Sequence, residues 1–276
     1  ILRPKGIFDQ LSEDKAIAKY TQTSTDTNTV KTLISALCAA GTGLSGAYNG
    51  YTAITVVYDS EDSLIDTFIP KDFFSIQINE NRGDKLDELL AYTGCKKREG
   101  NDGKLHILDP VTTGTVYDYE YKFNVSGDHN FFNKTVRLRF INPNKEIVKS
   151  PDSHSPVYSG NATSATSFAL DPKIHTTERR LASDAQGAAI AAAIIERNEL
   201  DAEKGFATVP MNVGQEKWDY VKVTDSRQGD TRIGNIQFIQ RDVEVHLDGQ
   251  PLTWKMMLSF GKVTTQSLLS NMLMTI

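Results

Sequence analysis

The chain has 276 residues, of which 39% are hydrophobic and 24% are charged, and its formal net charge is −5. This composition can bury a substantial core, and the length predicts two domains or one large β-rich domain. The negative charge argues against direct recognition of nucleic acid, which requires a basic surface. The most apolar stretch, residues 187–195, is shorter than the roughly 20 residues of a membrane span, so no transmembrane segment is predicted.

The N-terminal part is expected to be an arm followed by a helix. Residues 1–27 are polar and lead into TQTSTDTNT, which has no periodicity and is typical of an arm or linker. The chain opens at Ile1 rather than Met, which predicts a processed product or the visible part of a longer protein. An amphipathic helix follows, capped by Thr27 or Asn28 and ended by Gly41. Its apolar face consists of Val30, Leu33, Ile34, Leu37 and Cys38.

Two strands are predicted next. Residues 53–58 are rich in β-branched side chains, which favour a strand. In residues 73–79, Phe74, Ile76 and Ile78 alternate with polar residues. This alternation predicts a second strand with one buried face.

A compact module, residues 76–108, joins the end of the second strand to a helix and a hairpin. The helix carries a stripe formed by Leu86, Leu89 and Leu90. Acidic residues lie near its start, where the helix dipole favours negative charge, and these are Asp84, Asp87 and Glu88. Gly94 suits a left-handed C-terminal cap. Residues 95–98 and 104–108 flank the turn-forming sequence Gly100-Asn101-Asp102-Gly103, which predicts the hairpin.

The middle of the chain is expected to hold strands, a loop and a long helix. Residues 115–125 and 134–141 alternate polar and apolar residues, which predicts two strands. Residues 142–167 are rich in Ser, Pro and Asn and are expected to form a loop at a domain boundary or insertion. A helix over residues 183–204 would present small side chains to a sheet or to a neighbouring subunit. These residues are Ala185, Ala188, Ala189, Ala192 and Ala193, with Ile195 beside them.

The C-terminal part is predicted to be nearly all β, with turns at Gly229 and Asp248-Gly249. The expected strands are residues 205–211, 218–224, 231–240, 241–247 and 252–260, and the last two form a hairpin. The last strand places apolar residues on one face, as a closed or sandwiched sheet requires: Leu252, Trp254, Met256, Leu258 and Phe260. A helical apolar stripe at the end predicts a docking tail or packing on the same chain: Leu268, Leu269, Met272, Leu273 and Ile276.

The predicted fold class is α+β and mostly β, with a small α/β module followed by a β-barrel-like domain that is entered through an Ala-rich helix. Four regions are expected. They are an N-terminal arm or remnant of a preceding domain (1–27), the α/β module (28–112), a connection of strands and loop (113–167), and the helix with a β-barrel-like tube domain and apolar tail (168–276).

Neither the glycine-rich segment at residues 41–46 nor the two cysteines are expected to form a cofactor or metal site. Gly41-Thr42-Gly43-Leu44-Ser45-Gly46 matches the dinucleotide-binding glycine pattern. That pattern needs a strand before it and a helix after it, and here the order is reversed, so a loop at a helix end is predicted and no cofactor is expected. Cys38 and Cys95 lack the paired spacing of zinc ligands. They are expected to be buried free thiols, with a disulfide as the alternative.

No catalytic, cofactor-binding or metal-binding residue is assigned from the sequence. The histidines occur singly, without the spacing that places two on one helix face: His106, His129, His154, His175 and His246. Asp152 and His154 match part of a catalytic pair, but no nucleophile motif accompanies them. A glycosidase pair could be drawn from Asp225, Asp230, Asp242 and Glu244, although charges at strand ends are usually just solvated.

Two segments of the chain resemble phage tail hub and spike-hub proteins. The first is IQINENRGDKLDELLAYTGCKKREGNDGKLHILDP, a polar strand, a helix with paired leucines, a glycine and a hairpin. The second is similar to the Ala-rich helix through which those proteins enter a β-barrel domain. It continues into a glycine-started strand (205–211), a D-x-V-x-V-x-D strand (219–225) and a meander (233–245). The two matches occur in the same order as in that family and together cover residues 50–276.

The resemblance implies a structural role without catalysis. Members of the family form rings, commonly trimers, at the tip of a phage tail or a related injection machine, where barrel domains continue the tube and connect it to the spike. It implies contacts with copies of the same chain and with tube, spike and tape-measure proteins. It also implies a virion location, at the tail tip or baseplate, after assembly in the host cytoplasm. The expected interfaces are the Ala-rich helix and residues 268–276.

Other observations leave alternatives open. Family members usually begin with another tube-like barrel, whereas at most a fragment precedes Thr29 here. A phage-associated enzyme that degrades cell wall or glycan would use carboxylates such as Asp230 and Asp242. A β-rich carbohydrate-binding module would use Trp218 and Trp254.

Overall fold

The computed structural model describes residues 6–123, 133–137, 141–225, 229–244 and 253–261. The chain divides into two compact units that interleave along the sequence. Unit 1 comprises residues 1–109 and 142–198, and unit 2 comprises residues 110–141 and 199–276. The chain therefore leaves unit 1, begins unit 2, and returns to complete unit 1 before it completes unit 2.

The described residues form six helices and fourteen strands. The helices are α1 (Ile7–Glu13), α2 (Val30–Ala39), α3 (Ser63–Thr67), α4 (Arg82–Leu90), α5 (Ala165–Leu170) and α6 (Asp184–Ala202). The strands are β1 (Tyr20–Thr21), β2 (Val56–Tyr58), β3 (Ser75–Ile76), β4 (Lys96–Glu99), β5 (Leu105–Leu108), β6 (Tyr119–Phe123), β7 (Asn133–Arg137), β8 (Lys145–Lys149), β9 (Ser159–Thr163), β10 (Ile174–Glu178), β11 (Lys204–Pro210), β12 (Tyr220–Asp225), β13 (Asp230–Glu244) and β14 (Thr253–Phe260). The α+β class predicted from the sequence is confirmed.

The start of unit 1 is more regular than the sequence predicted. Residues 1–27 were expected to be an arm or linker or a remnant of a preceding domain, and their described part contains α1 and β1, whereas residues 22–27 form neither helix nor strand. Leu11 of α1 is 1% exposed, and β1 pairs with β3 in an antiparallel arrangement. A seven-residue helix with one buried side chain is too short to show a helical period, and its stability depends on packing that local sequence does not reveal.

Helix α2 confirms the amphipathic pattern, because every residue of its predicted apolar face is buried: Val30, Leu33, Ile34, Leu37 and Cys38. Its boundaries differ slightly from the prediction. Thr29, rather than Thr27 or Asn28, caps the start and accepts a hydrogen bond from the backbone of Thr32. The helix ends at Ala40, which is left-handed with φ of 49°, one residue before Gly41.

The module at residues 76–108 has the predicted strand, helix and hairpin. β4 and β5 pair in an antiparallel arrangement around a turn with Gly103 at φ 71°, and β2 adds to β5 in parallel. One predicted burial was wrong, since Ile78 is 52% exposed. The cause is a turn in which Asn79 has φ of 70°, so that the strand stops after Ile76.

Gly94 does not form the predicted left-handed cap. Its N–H donates to Asp62 Oδ2 at 2.7 Å, and a Cβ at this position would lie 3.0 Å from Asp109 Oδ1. Position 94 therefore favours glycine because two carboxylates, those of Asp62 and Asp109, lie close to it, and not because it ends α4.

Residues 142–167 were expected to be a loop, and this prediction was wrong. They hold β8, β9 and the first half of α5, and β10 completes a three-stranded sheet in the order β10–β8–β9. The strands are only five residues long, so their alternation is hard to separate from the surrounding turn-rich composition. Glu146 and Val148 nevertheless point to the buried face of β8.

Helix α6 confirms the prediction of an Ala-rich helix that packs closely on a sheet. A Cβ on Gly160 of β9 would lie 2.0 Å from the backbone nitrogen of Ala188. Ser159 N also donates to the carboxylate of Asp184 at 2.7 Å. Ile190 and Ala191 are buried within the core of unit 1. The small residues therefore allow backbone-to-backbone contact between helix and strand.

Unit 2 is built on one six-stranded sheet in the order β6–β12–β13–β14–β11–β7. The sheet curls into a half barrel, so the described strands form only part of the β-barrel-like domain that was predicted. Its buried face consists of Tyr121, Ala207, Val209, Val221, Val223, Ile236, Met256, Leu258 and Phe260. Residues 231–240 and 241–247 were predicted to be separate strands. Residues 231–244 belong instead to the single strand β13, which continues through a bulge between Ile236 and Phe238, and residues 245–247 lie outside the described residues.

Candidate functional site

The carboxylates that suggested a glycosidase lie in two separate groups, with Asp225 opposite Asp230 at one end of β13 and with Asp242 and Glu244 at its other end. Asp230 and Asp242 lie twelve residues apart on the same strand, β13. At about 3.3 Å per residue this is roughly 40 Å along the strand, whereas catalytic carboxylate pairs lie within about 5–10 Å. Asp242 accepts hydrogen bonds from Gln240 Nε2 at 3.0 and 3.3 Å, and Asp225 is buried at the end of β12 opposite Asp230. The Asp230 and Asp242 pair is thereby excluded as a catalytic pair.

Asp152 and His154 do not form a pair either. The Asp152 side chain is 92% exposed, with its carboxylate 3.7 Å from Lys149 Nζ. His154 Nδ1 instead contacts the carbonyl oxygen of Pro156 at 2.8 Å. No nucleophile-activating geometry results from these contacts.

The glycine motif and the cysteines behave as the sequence predicted. Residues 41–46 follow α2 and form a loop that ends in a short 3₁₀ turn at Leu44–Gly46, so the order of elements is wrong for nucleotide binding. Cys38 and Cys95 are buried free thiols. Burial raises the pKa of each thiol to about 11, which keeps both protonated and unreactive at neutral pH.

Within the described ranges, no group of three or more His, Cys, Asp or Glu residues is arranged to hold a metal ion. One buried carboxylate was nevertheless missed by sequence reasoning. Glu146 has a side chain that is 1% exposed, and its two oxygens each lie 3.0 Å from His175 Nδ1. Thr177 also donates to this carboxylate. β8 and β10 run parallel, which places Glu146 opposite His175, and only the strand register reveals this pairing.

A second group of carboxylates surrounds Gly94. Asp62 accepts from the backbone of Leu64 at 2.8 Å and from Gly94 at 2.7 Å. Burial, and then the nearby charges of Asp62 and Glu196, raise the pKa of Asp109 to about 6. Ionisation of Asp109 is therefore less favourable in the folded chain than in the unfolded chain.

Asp109→Asn is expected to stabilise the protein at pH 7.5 and not at pH 4. Because the folded pKa lies above the ordinary 3.8, the protonated carboxyl favours folding at low pH, and this contribution is lost as the pH rises through about 6. The carboxyl is only partly buried, so solvent screening reduces the gain to about 1 kcal/mol. Urea denaturation at both pH values measures this gain in stability. Asp152→Asn, at an exposed carboxylate, should show no such difference between the two pH values.

The tryptophans proposed for sugar stacking have different environments. Trp218 is 6% exposed, so its ring is not available as a platform for a sugar. Trp254 is 50% exposed and lies directly opposite Val243, which is 47% exposed, on the antiparallel pair β13 and β14. These two side chains form an apolar pair on the surface of unit 2.

Several other surfaces have no partner within the described chain. β6 and β7 lie at the two ends of the six-stranded sheet, and β10 lies at one end of the three-stranded sheet. On α6, the residues Ala185, Ala189 and Ala192 face outward. The predicted interface at residues 268–276 lies outside the described residues. Within the described ranges, every helix is too short or too polar to cross a bilayer.

Comparison with known proteins identifies the fold. No protein-family model matches the sequence, and no curated protein sequence matches it significantly. The tail protein from Neisseria meningitidis MC58 is similar over 91% of this chain and 71% of its own, with a TM-score of 0.57 and 11% identity. The 43 kDa tail protein of prophage MuSo2 from Shewanella oneidensis is similar over 94% of this chain and 73% of its own, with a TM-score of 0.56 and 14% identity. The chain therefore shares, over nearly its whole length, a fold found in tail proteins.

Proposed function

We propose that this protein is a structural component of a phage tail tip or baseplate, where it forms a hub-like ring that connects the tail tube to a spike or to fibres. The observation that carries the proposal is the shared fold, which extends over more than nine tenths of the chain in two tail proteins. The two segments that resemble hub proteins support it. One is the module at residues 76–108, and the other runs from α6 into β13.

The open sheet of unit 2 supports the proposed assembly with copies of the same chain. An edge strand presents unpaired backbone N–H and C=O groups, which favour pairing with a strand of another chain. The sheet has β6 at one end and β7 at the other, and it closes only part of a barrel. We propose that unit 2 acts as a tube-like domain and that neighbouring copies complete the wall of the tube.

The apolar pair Trp254 and Val243 is the proposed contact between copies. Exposed tryptophans that become buried on association contribute more binding energy than most other residues. Trp254 belongs to the same alternating set as Met256 and Leu258, which are fully buried, so it extends the core face of β14 to the surface. A neighbouring copy would bury this extension.

The proposed partners beyond the ring are tube, spike and tape-measure proteins, and the proposed location is the tail tip of the virion after assembly in the host cytoplasm. Such a role requires no catalytic residue, cofactor or metal. For this role it is sufficient that the sheet edges and the exposed face of α6 bind other chains in a fixed arrangement.

Size-exclusion chromatography with light scattering, followed by electron microscopy, tests this proposal on the full chain. We expect rings of several copies at high concentration, alone or with tail partners. Monomers under both conditions would contradict the ring. Trp254→Ser should weaken self-association at least tenfold, or by about 1.4 kcal/mol. Val116→Ser, at a residue that is 85% exposed and outside every strand, is the matched control and should assemble normally. Unchanged assembly of Trp254→Ser would exclude this contact.

A further inference from the structure

The imidazole ring of His106 lies between two carboxylates that belong to different parts of unit 1. Its Nδ1 is 2.9 and 3.0 Å from the two carboxylate oxygens of Asp59, which directly follows β2. Its Nε2 is 2.9 Å from Asp102 Oδ1, in the turn between β4 and β5. An ionised carboxylate can only accept hydrogen bonds, so both ring nitrogens must donate. The geometry therefore calls for the doubly protonated, cationic ring.

Each carboxylate also has a cation of its own. Arg98, which lies opposite His106 on β4, donates to Asp59 Oδ2 at 3.0 Å. Lys104 Nζ is 3.0 Å from Asp102 Oδ2 in the turn. Neither of these ion pairs joins the turn to the residue after β2. The His106 ring makes this connection, because it contacts both carboxylates.

The backbone is shaped to seat this ring. A Cβ on Gly100 would lie 2.5 Å from Cδ2 and 2.6 Å from Nε2 of His106. Glycine at this position therefore lets the ring reach Asp102. The turn itself is closed by two backbone hydrogen bonds of 3.0 Å, from Gly103 N to Gly100 O and from Gly100 N to Lys104 O.

We propose that His106 is the centre of a pH-sensitive clasp that fastens the tip of the β4–β5 hairpin to the residue after β2 and releases it when the ring loses a proton. A neutral imidazole keeps a single N–H. One nitrogen then presents a lone pair to carboxylate oxygens, and that contact becomes repulsive. Asp102 sits on the turn, so its release frees the hairpin tip, while Arg98 still holds Asp59.

The direction of the pH dependence follows from the local charges. Burial lowers the pKa of His106, but hydrogen bonds to Asp59 and Asp102 outweigh this effect and raise the pKa above its ordinary 6.5. Stabilisation by the clasp is therefore complete below pH 6.5 and is lost as the pH rises through the higher pKa of the folded protein. The charged groups facing the ring are Asp59 after β2, Arg98 on β4, and Asp102 and Lys104 in the turn.

Hydrogen exchange of the turn amides in the full-length protein tests the clasp. After correction for intrinsic exchange rates, the protection of the Gly100 and Gly103 amides should fall at least tenfold between pH 6 and pH 9. His106→Gln should remove this pH dependence. His175→Gln is the matched control, since His175 also contacts a carboxylate, that of Glu146, but on another sheet. It should exchange as the wild-type chain does.

The ring can also be observed directly by ¹⁵N NMR. Both nitrogens should be protonated at pH 6, with a pKa above 6.5, and Asp102→Asn should lower that pKa. Turn protection that is equal at both pH values in the wild-type chain would overturn the proposal. A pH dependence that persists in His106→Gln, or a singly protonated ring at pH 6, would overturn it as well.

Discussion

Arg82→Ala is expected to reduce the free energy of unfolding by about 3–5 kcal/mol, the cost of breaking a buried ion pair by removing one partner. The Arg82 side chain is fully buried, and its Nη1 lies 2.9 Å from Asp14 Oδ2, whose side chain is 9% exposed. Truncation to alanine would leave that carboxylate buried without its counter-charge. A domain with a stability of about 5–15 kcal/mol would lose a large fraction of it.

The same guanidinium also satisfies the end of a helix. Its Nε donates to the carbonyl of Leu37 at 2.9 Å, its Nη2 donates to the carbonyl of Cys38, and its Nη1 donates to the carbonyl of Thr52 at 2.9 Å. The last carbonyls of a helix have no partner within the helix, and buried ones must find a donor elsewhere. Arg82 thus joins the end of α2 to the end of α1 and to the segment before β2.

Urea denaturation of four further variants distinguishes these contributions. Arg82→Lys keeps the charge but not the forked donors, so it should recover only part of the loss. Arg82→Met combined with Asp14→Asn should be more stable than Arg82→Met alone, because no buried charge remains unpaired. Arg180→Ala is the control, since Arg180 is 36% exposed and pairs with Asp72 at the surface. It should cost less than about 1 kcal/mol. A loss below this value for Arg82→Ala would contradict the assignment.

The role of Arg82 illustrates what local sequence can and cannot predict. The helix α2 and the β4–β5 hairpin were predicted because their signals lie within ten to fifteen residues, as a period, a turn and a cap. Arg82 was unremarkable in that view, since arginine at a helix start is normally on the surface. Its partners Asp14, Leu37 and Thr52 are 68, 45 and 30 positions away. Only the tertiary structure brings them together.

The candidate binding surfaces also show what local sequence can and cannot predict. Small residues on α6 predicted close packing, and the contact with Gly160 confirms it, because low bulk is a property of the residues themselves. The grouping of Asp230 with Asp242 as catalytic carboxylates failed because both residues lie on the single strand β13, which holds them far apart. The exposure of Trp254 was also not predicted from the sequence. Strand alternation predicts on which face of the strand a side chain lies, but not where along the strand the core that covers this face ends.

Gly160→Ala is expected to be the most disruptive single-methyl substitution in unit 1. A Cβ at this position would lie 2.0 Å from Ala188 N and 2.4 Å from the carbonyl carbon of Gly187. Both contacts are with the backbone of α6, which cannot rotate away as a side chain can. Strand β9 and the start of α6 would have to separate. Overpacking in a core typically costs about 1–3 kcal/mol, and a clash between two backbones should cost about 3 kcal/mol or more.

Thermal and urea denaturation of the full chain measure this cost, and Gly41→Ala provides the control. Gly41 has no atom within 4 Å of a built Cβ and no left-handed φ, so alanine there should change stability by less than about 0.5 kcal/mol. Gly187→Ala tests the same contact from the helix side, because its Cβ would lie 2.9 Å from Gly160 N. A Gly160→Ala variant that is as stable as the wild-type chain would imply that α6 and β9 can separate without a cost in free energy. That result would contradict the close packing for which the small residues of α6 provide room.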